Sequence, residues 1–250
     1  MSSSSVCPIC DGTGWKIVER AGLSGAETCT CAIAARPAAI RQAAGIPPNY
    51  ERATLENFQI PQDNPIAKTG LGTVLLQVRS YLREFPAPDR PGLLLAGDTG
   101  TGKTHLAVAV LKTLIERGHE GLFFDYQDLL NRIRSGYDAA SGASDREAFR
   151  AALDTEILLL DDLGSHRVTE WVEDTVTSIV TQRCNQRKVL IATTNLDLDD
   201  TVAYTTPGGA SVHRKALAEV IGGRARSRLF EMCRVVRMPA IEDYRINRGR

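Results

Sequence analysis

No apolar run in this chain approaches the roughly 18 residues that a membrane-spanning helix needs, so nothing in it points to a membrane partner. Net charge is absent as well. The 30 Lys and Arg balance 30 Asp and Glu, which removes any global pull toward nucleic acid or a lipid surface and leaves only local patches. Met1 is followed by four serines, with neither the basic nor the apolar stretch of a secretory leader, and no internal repeat is visible. A cytoplasmic location is the expectation. In that reducing compartment the six cysteines are expected as thiols or metal ligands rather than disulfides. The 250 residues, of ordinary apolar and charged content, suffice for one full α/β domain and a small appendage.

The chain is organised around Gly97-Asp98-Thr99-Gly100-Thr101-Gly102-Lys103-Thr104. Apolar residues 93–96 precede this G-x-x-x-x-G-K-T motif, and the helix-forming stretch 106–111 follows it. That is the strand–loop–helix context of a phosphate-binding loop. Glycines let the backbone curl so that successive N–H groups face phosphate oxygens, and the helix N-terminus adds partial positive charge. Lys103 is placed to reach the β- and γ-phosphates and the Thr104 hydroxyl to ligate Mg²⁺, with His105 next to it in the nucleotide-contacting set. The motif predicts binding of a nucleoside triphosphate.

Residues 156–162, Glu-Ile-Leu-Leu-Leu-Asp-Asp, read as a wholly buried strand ending in two carboxylates. Ligands bind at the C-terminal ends of such strands, so Asp161 is a Walker B candidate for Mg²⁺ and Asp162 can orient or deprotonate the attacking water. Taken alone the Asp-Asp pair fits a turn equally well; after a phosphate loop at this spacing it does not. A further strand, 189–192, runs into Thr193-Thr194-Asn195, where Asn195 is either a γ-phosphate or water contact or a turn residue closing the strand. Periodicity predicts helices over 65–84, from the loop to about 117, over 127–134 and over 169–187, with further strands over 122–126 and 233–238. Residues 32–60 begin Ala-rich and helical and read as a linker, 136–145 as a mobile polar segment, and 197–213 as a loop. The alternation of strands and helices predicts an open, largely parallel α/β sheet.

Four cysteines cluster at the start, as Cys7-x2-Cys10 and Cys29-x-Cys31. Two close pairs across a spacer suit tetrahedral Zn²⁺, each pair occupying one edge, and Gly12 and Gly14 permit the tight turn after the first. An appendage this small needs metal to supply its folding energy, and four thiolates leave no open position for catalysis. Cys184 and Cys233 instead continue apolar patterns and read as core.

With these motifs and Gly223-Arg224-Ala225-Arg226-Ser227-Arg228-Leu229 together, the chain resembles an AAA+ ATPase, more narrowly the DnaC/DnaI helicase loaders and their relative, the IstB transposition helper. The resemblance runs over about residues 45–245, including Leu55-Glu56-Asn57-Phe58 and Glu242-Asp243-Tyr244-Arg245. It implies a P-loop NTPase sheet flanked by helices over 46–250, with residues 1–45 as zinc module and linker. It implies ATP and Mg²⁺ as bound groups, beside the Zn²⁺ read from the four cysteines. Asn195 becomes the sensor residue, and Arg228, with Arg224 nearby, an arginine finger acting in trans, so that hydrolysis needs self-assembly. The arginine cluster by itself fits a solvated helix face as well. The implied partners are a replicative DNA helicase and, through patches such as Arg245, Arg248 and Arg250, single-stranded DNA. Two departures stand out: Asp-Asp where many AAA+ proteins carry Asp-Glu, and little chain after the last strand for a helical lid. The first predicts slow hydrolysis; the second leaves nucleotide less enclosed, which suits a switch better than a motor.

Overall fold

Leu93, Leu94 and Leu95 are all fully buried because their strand has neighbours along both edges and helices over both faces. The structure is a computed structural model; it describes residues 7–11, 13, 15–20, 23–31, 40, 42–135, 144–199, 203–205, 211–213, 215–241, 243 and 244. In chain order the strands are β1 (Trp15–Arg20), β2 (Leu23–Thr28), β3 (Gly92–Ala96), β4 (Gly121–Asp125), β5 (Ile157–Asp161), β6 (Val189–Thr194), β7 (Ala203–Thr205), β8 (Ser211–His213) and β9 (Cys233–Arg237). Strands β3, β4, β5, β6 and β9 form one five-stranded sheet in the order β4-β5-β6-β3-β9, parallel throughout. Parallel neighbours need crossovers, which helices supply here.

Side chains alternate between the two faces of each strand. Leu93, Leu95, Leu159 and Ile191 meet helices α1 (Pro65–Glu84) and α2 (Lys103–Glu116) on one face. Leu94, Leu158, Leu160 and Ala192 meet the other layer: α3 (Tyr126–Ser135), α4 (Ser144–Asp154), α5 (Glu170–Asn185), α6 (Leu217–Ile221) and α7 (Gly223–Met232). Caps fix the ends. Asn64 Oδ1 accepts from Ala67 N at 3.0 Å with Pro65 opening α1, and Thr169 Oγ1 accepts from Val172 N at 3.3 Å at the start of α5.

The P-loop sheet flanked by helices is as the sequence predicts, and Cys233 is buried as expected, its thiol pushed up by burial; Cys184 is half-buried against the second layer. Three differences have physical reasons. The expected linker packs on the core from Ala44 onward: Ala44, Ala53 and Leu55 are buried, and Lys112 Nζ donates to the Glu51 and Ala53 carbonyls at 2.5 and 3.0 Å. Its prolines interrupt helix, not packing. Within the expected loop 197–213, β7 and β8 pair antiparallel, with Tyr204 opposite Val212. Helix α4 begins at Ser144, inside the expected mobile segment 136–145; residues 136–143 lie outside the described residues, as do the Ala-rich stretch 32–39 and the basic residues of the tail. Its helical face, Ala148, Ala152 and Leu153, is short and Ala-rich, a weak periodic signal.

At the start of β3, between β6 and β9, a Cβ on Gly92 would lie 2.5 Å from Leu190 O and 2.6 Å from Cys233 Sγ. Neither neighbour is the loose end of a flexible chain. Gly92→Ala is therefore expected to cost about 1–3 kcal/mol of stability by forcing strands apart, read as a lower urea midpoint. An unchanged midpoint would show that the sheet can give way there.

Candidate functional site

Between β3 and α2 the Gly97–Thr104 segment turns sharply into the helix. Gly102 has a φ of 91°, and a Cβ there would sit 2.5 Å from the Phe58 ring, so both the left-handed turn and the aromatic approach require glycine. Thr101 Oγ1 donates to Asp98 O at 2.8 Å and steadies the loop. Lys103, buried at the first position of α2, donates from Nζ to the carbonyls of Gly97 and Asp98 at 2.8 and 2.7 Å. Such a turn ending in a helix N-terminus, with an ammonium held inside it, is a cradle for an anion.

Across from the loop, the tips of β5 and β6 form one hydrogen-bonded set. Asp161 Oδ1 accepts from Thr104 Oγ1 at 2.9 Å and from Thr193 Oγ1 at 2.6 Å. Thr193 Oγ1 in turn accepts from Asp162 N at 2.8 Å, and Asn195 Nδ2 donates to Asp162 Oδ1 at 2.6 Å. Burial raises the Asp161 carboxyl above the usual carboxylate range; the Thr193 and Thr104 hydroxyls pull it back, while Asp162 and Asp125 add to the rise. Asp125 stands opposite Asp161 in the β4–β5 register. Thr104 and Asp161 thus offer hard oxygen donors side by side, the kind of set that holds Mg²⁺.

Beside the loop a cavity of about 700 Å³ is walled by Gly100–Gly102, by residues 49–64 and by Ile241 and Tyr244. His105 turns its ring to Thr54 O at 2.8 Å and packs edge-on against Phe58, with centroids 5.5 Å apart, so it builds the wall of this cavity. Asp243 lies against Gly100, Tyr244 N donates to Gly100 O at 3.2 Å, and Tyr244 Oη donates to Gln59 Oε1 at 2.5 Å. Asp243 and Tyr244, after β9, therefore pack against the phosphate loop at Gly100. The segments holding Phe58 and Tyr244 stood out in the sequence only as parts of the family resemblance; that they meet, with Gln59 between them, as one wall appears only in the fold.

Lys103, Thr104, Asp161, Asp162 and Asn195 thus come together. Arg228 does not join them within the chain: on α7 it pairs with Glu231 at 2.6 Å, beside Cys184, and its side chain is 40% exposed. Arg226 is structural, donating to Leu198 O through Nε and Nη2 at 3.1 and 2.7 Å and lying 4.9 Å over Phe230. Arg224 is exposed.

At the N-terminus the sulfurs of Cys7, Cys10, Cys29 and Cys31 all lie within 4.8 Å of one another, with Cys7–Cys29 at 3.9 Å and Cys10–Cys31 at 3.4 Å. Tetrahedral zinc with bonds of about 2.3 Å spaces its sulfurs about 3.8 Å apart, so the set fits that ion. The spacer is a hairpin the sequence did not announce: β1 and β2 pair from Trp15↔Thr28 to Arg20↔Leu23, which returns the chain to its start. Gly12 and Gly14 lie outside the described residues. Hydrogen bonds from Cys10, then Cys29 and Cys7, push the Cys31 thiol up to about 12.

A family model described as IstB-like ATP binding protein matches residues 86–208. The replicative helicase loader DnaC of Escherichia coli (strain K12) is 23% identical over 156 residues, 62% of this chain and 60% of that protein, so the match spans under two thirds of the relative's length. Among solved structures, the crystal structure of the DnaC helicase loader is 31% identical with a TM-score of 0.61, covering 77% of this chain and 100% of that one. The crystal structure of DnaI, at 20% identity, TM-score 0.58, and coverage of 78% and 95%, shares the fold.

Purified protein is expected to carry about one zinc ion per chain, and Cys10→Ser with Cys29→Ser to lose it, as read by elemental analysis. Chelation should unfold β1 and β2 while sparing the cooperative transition of the large sheet. Less than about half an equivalent of zinc in the wild type would count against the metal.

Proposed function

The chain belongs to the DnaC/IstB-like group of AAA+ ATPases, and from that premise we propose that it is an ATP-dependent loader of a replicative DNA helicase, hydrolysing ATP slowly once assembled. The observation that carries this is the 31% identity along the whole of the DnaC helicase loader structure.

In this reading the loop from Gly97 to Thr104 holds the triphosphate, and Lys103 exchanges the Gly97 and Asp98 carbonyls for β- and γ-phosphate oxygens. The base and ribose enter the cavity walled by Phe58, His105 and Tyr244. Thr104 and Asp161 hold Mg²⁺, which when bound neutralises charge on the phosphates. Asp162, braced by Asn195, orients the attacking water. Its side chain, one methylene shorter than Glu and already held at 2.6 Å by the Asn195 amide, sits farther from the water, which supports slow turnover. Arg228 completes the neighbouring protomer's site after leaving Glu231, making hydrolysis depend on self-assembly. The zinc module grips the helicase, and single-stranded DNA is a second partner.

Lys103→Ala is expected to lower Mg²⁺-dependent ATP turnover by about 10²-fold or more. Arg228→Ala should do likewise at concentrations where protomers assemble, and mixing the two variants should restore part of the activity, since some interfaces then combine an intact loop with an intact finger. If mixing restores nothing, the trans finger is wrong.

An IstB-like transposition helper is the second reading, favoured by the family model over residues 86–208. Pull-down from host lysate with ATP separates the two. A replicative helicase recovered by wild type, and lost with the Cys10→Ser, Cys29→Ser protein, supports the loader; recovery of a transposase supports the alternative. Wild type with no turnover above Lys103→Ala, alone or with DNA and partner, would leave a nucleotide-dependent interaction module.

A further inference from the structure

We propose that Thr193 is a positioning residue that couples the cation side of the site to its water side, through one hydroxyl that donates and accepts at once. It is buried to 1% exposure at the tip of β6 and has no motif assignment beyond lying before Asn195. Asp162 N–H can only donate, so at 2.8 Å the Thr193 oxygen must accept from it. The hydroxyl proton is therefore committed elsewhere, and at 2.6 Å it points to Asp161 Oδ1. Thr104 donates to the same oxygen at 2.9 Å. Two hydroxyls thus occupy Oδ1 and direct the other carboxylate oxygen of Asp161 to a cation or its water.

The second half of the coupling is backbone. Asp162 has a φ of 56°, a left-handed conformation that a non-glycine residue keeps only when its surroundings hold it. Thr193 supplies two of the restraints: its hydroxyl takes the Asp162 N–H, and its carbonyl takes the Leu163 N–H at 2.7 Å. Thr194 adds a third, donating to Leu163 O at 2.8 Å. Reversing the backbone here turns the Asp162 carboxylate to Asn195, away from the direction β5 would have given it. Two consecutive carboxylates are thereby separated into different tasks, and one hydroxyl touches the settings of both.

The inference rests on the reading of Asp161 as the cation carboxylate. Its test uses the full chain and a fluorescent ATP analogue, bound in EDTA and then with Mg²⁺, beside amide hydrogen exchange without nucleotide. Thr193→Val keeps shape and removes both hydroxyl bonds. It should bind the analogue in EDTA within about twofold of wild type, lose about tenfold of the affinity gained from Mg²⁺, and exchange the Asp162 amide about tenfold faster. Thr193→Ser should restore both readouts. Thr193→Cys, with a weaker donor, should fall between, an ordering that survives even if the valine variant does not fold. A full Mg²⁺ gain in the valine variant, equal loss in EDTA, or failure of serine to rescue each overturns the proposal. Wild type with no gain from Mg²⁺ overturns the underlying cation reading, and is told apart because it needs no variant.

Discussion

Strand β6 lies between β3 and β5, and that placement decides which groups can meet at the tips of the sheet. The chain leaves β3 through the phosphate loop and α2, goes out to β4 at the edge, and returns by β5 and then β6. A strand inserted there carries its last residues, Thr193 to Asn195, between the loop and the two carboxylates. Thr193 and Asn195 reach β5 from one side while Thr104 reaches Asp161 from α2. Gly97 N, at the root of the loop, also donates to Thr194 O at 3.2 Å, so β6 anchors both halves.

The charges at these tips are satisfied without neutralising each other. An ammonium buried like that of Lys103 is costly unless it is hydrogen-bonded, and the loop's own carbonyls meet that need. Asp161 is relieved by hydroxyls rather than by a cationic side chain, and its neighbours Asp162 and Asp125 add strain of the same sign. A site that keeps its cation on one side and crowded carboxylates on the other suits a ligand that is polyanionic where it meets Lys103 and cationic where it meets Asp161. Under the proposed function, ATP with its metal is that ligand.

What was legible in the sequence was what is local. The phosphate loop announces itself within eight residues, because turn, lysine and hydroxyl must be contiguous to surround one phosphate group. The leucines of β5 announce a doubly buried strand for a similar reason. The same all-apolar character hid the strand order, since a strand buried on both faces carries no alternation to say which neighbour it has. The cavity wall was hidden differently: Gln59 and Tyr244 meet across 185 residues of chain, a separation that no local pattern spans. Of three arginines with one spacing on α7, only the fold separates Arg226, tied to Leu198 O, from Arg228, left at the surface on Glu231.

The N-terminal module inverts the usual relation between apolar residues and burial. A hairpin of two six-residue strands is marginal alone in water, and here Cys10 and Cys29 are buried at the sulfur cluster instead of an apolar core. A segment tied by metal does not need its apolar side chains inside. Lys16 and Glu27 pair at 3.1 Å from opposite positions of β1 and β2, while Trp15 and Ile17, on the alternate face, are 58% and 82% exposed and Ile9 nearby in sequence is 60% exposed. Apolar side chains held outward on a small hairpin beside a four-cysteine cluster are suited to bury themselves in another protein. Under the proposed function the helicase grip falls to this module: the large sheet encloses its leucines, whereas the hairpin leaves Trp15 and Ile17 outward where a partner could cover them.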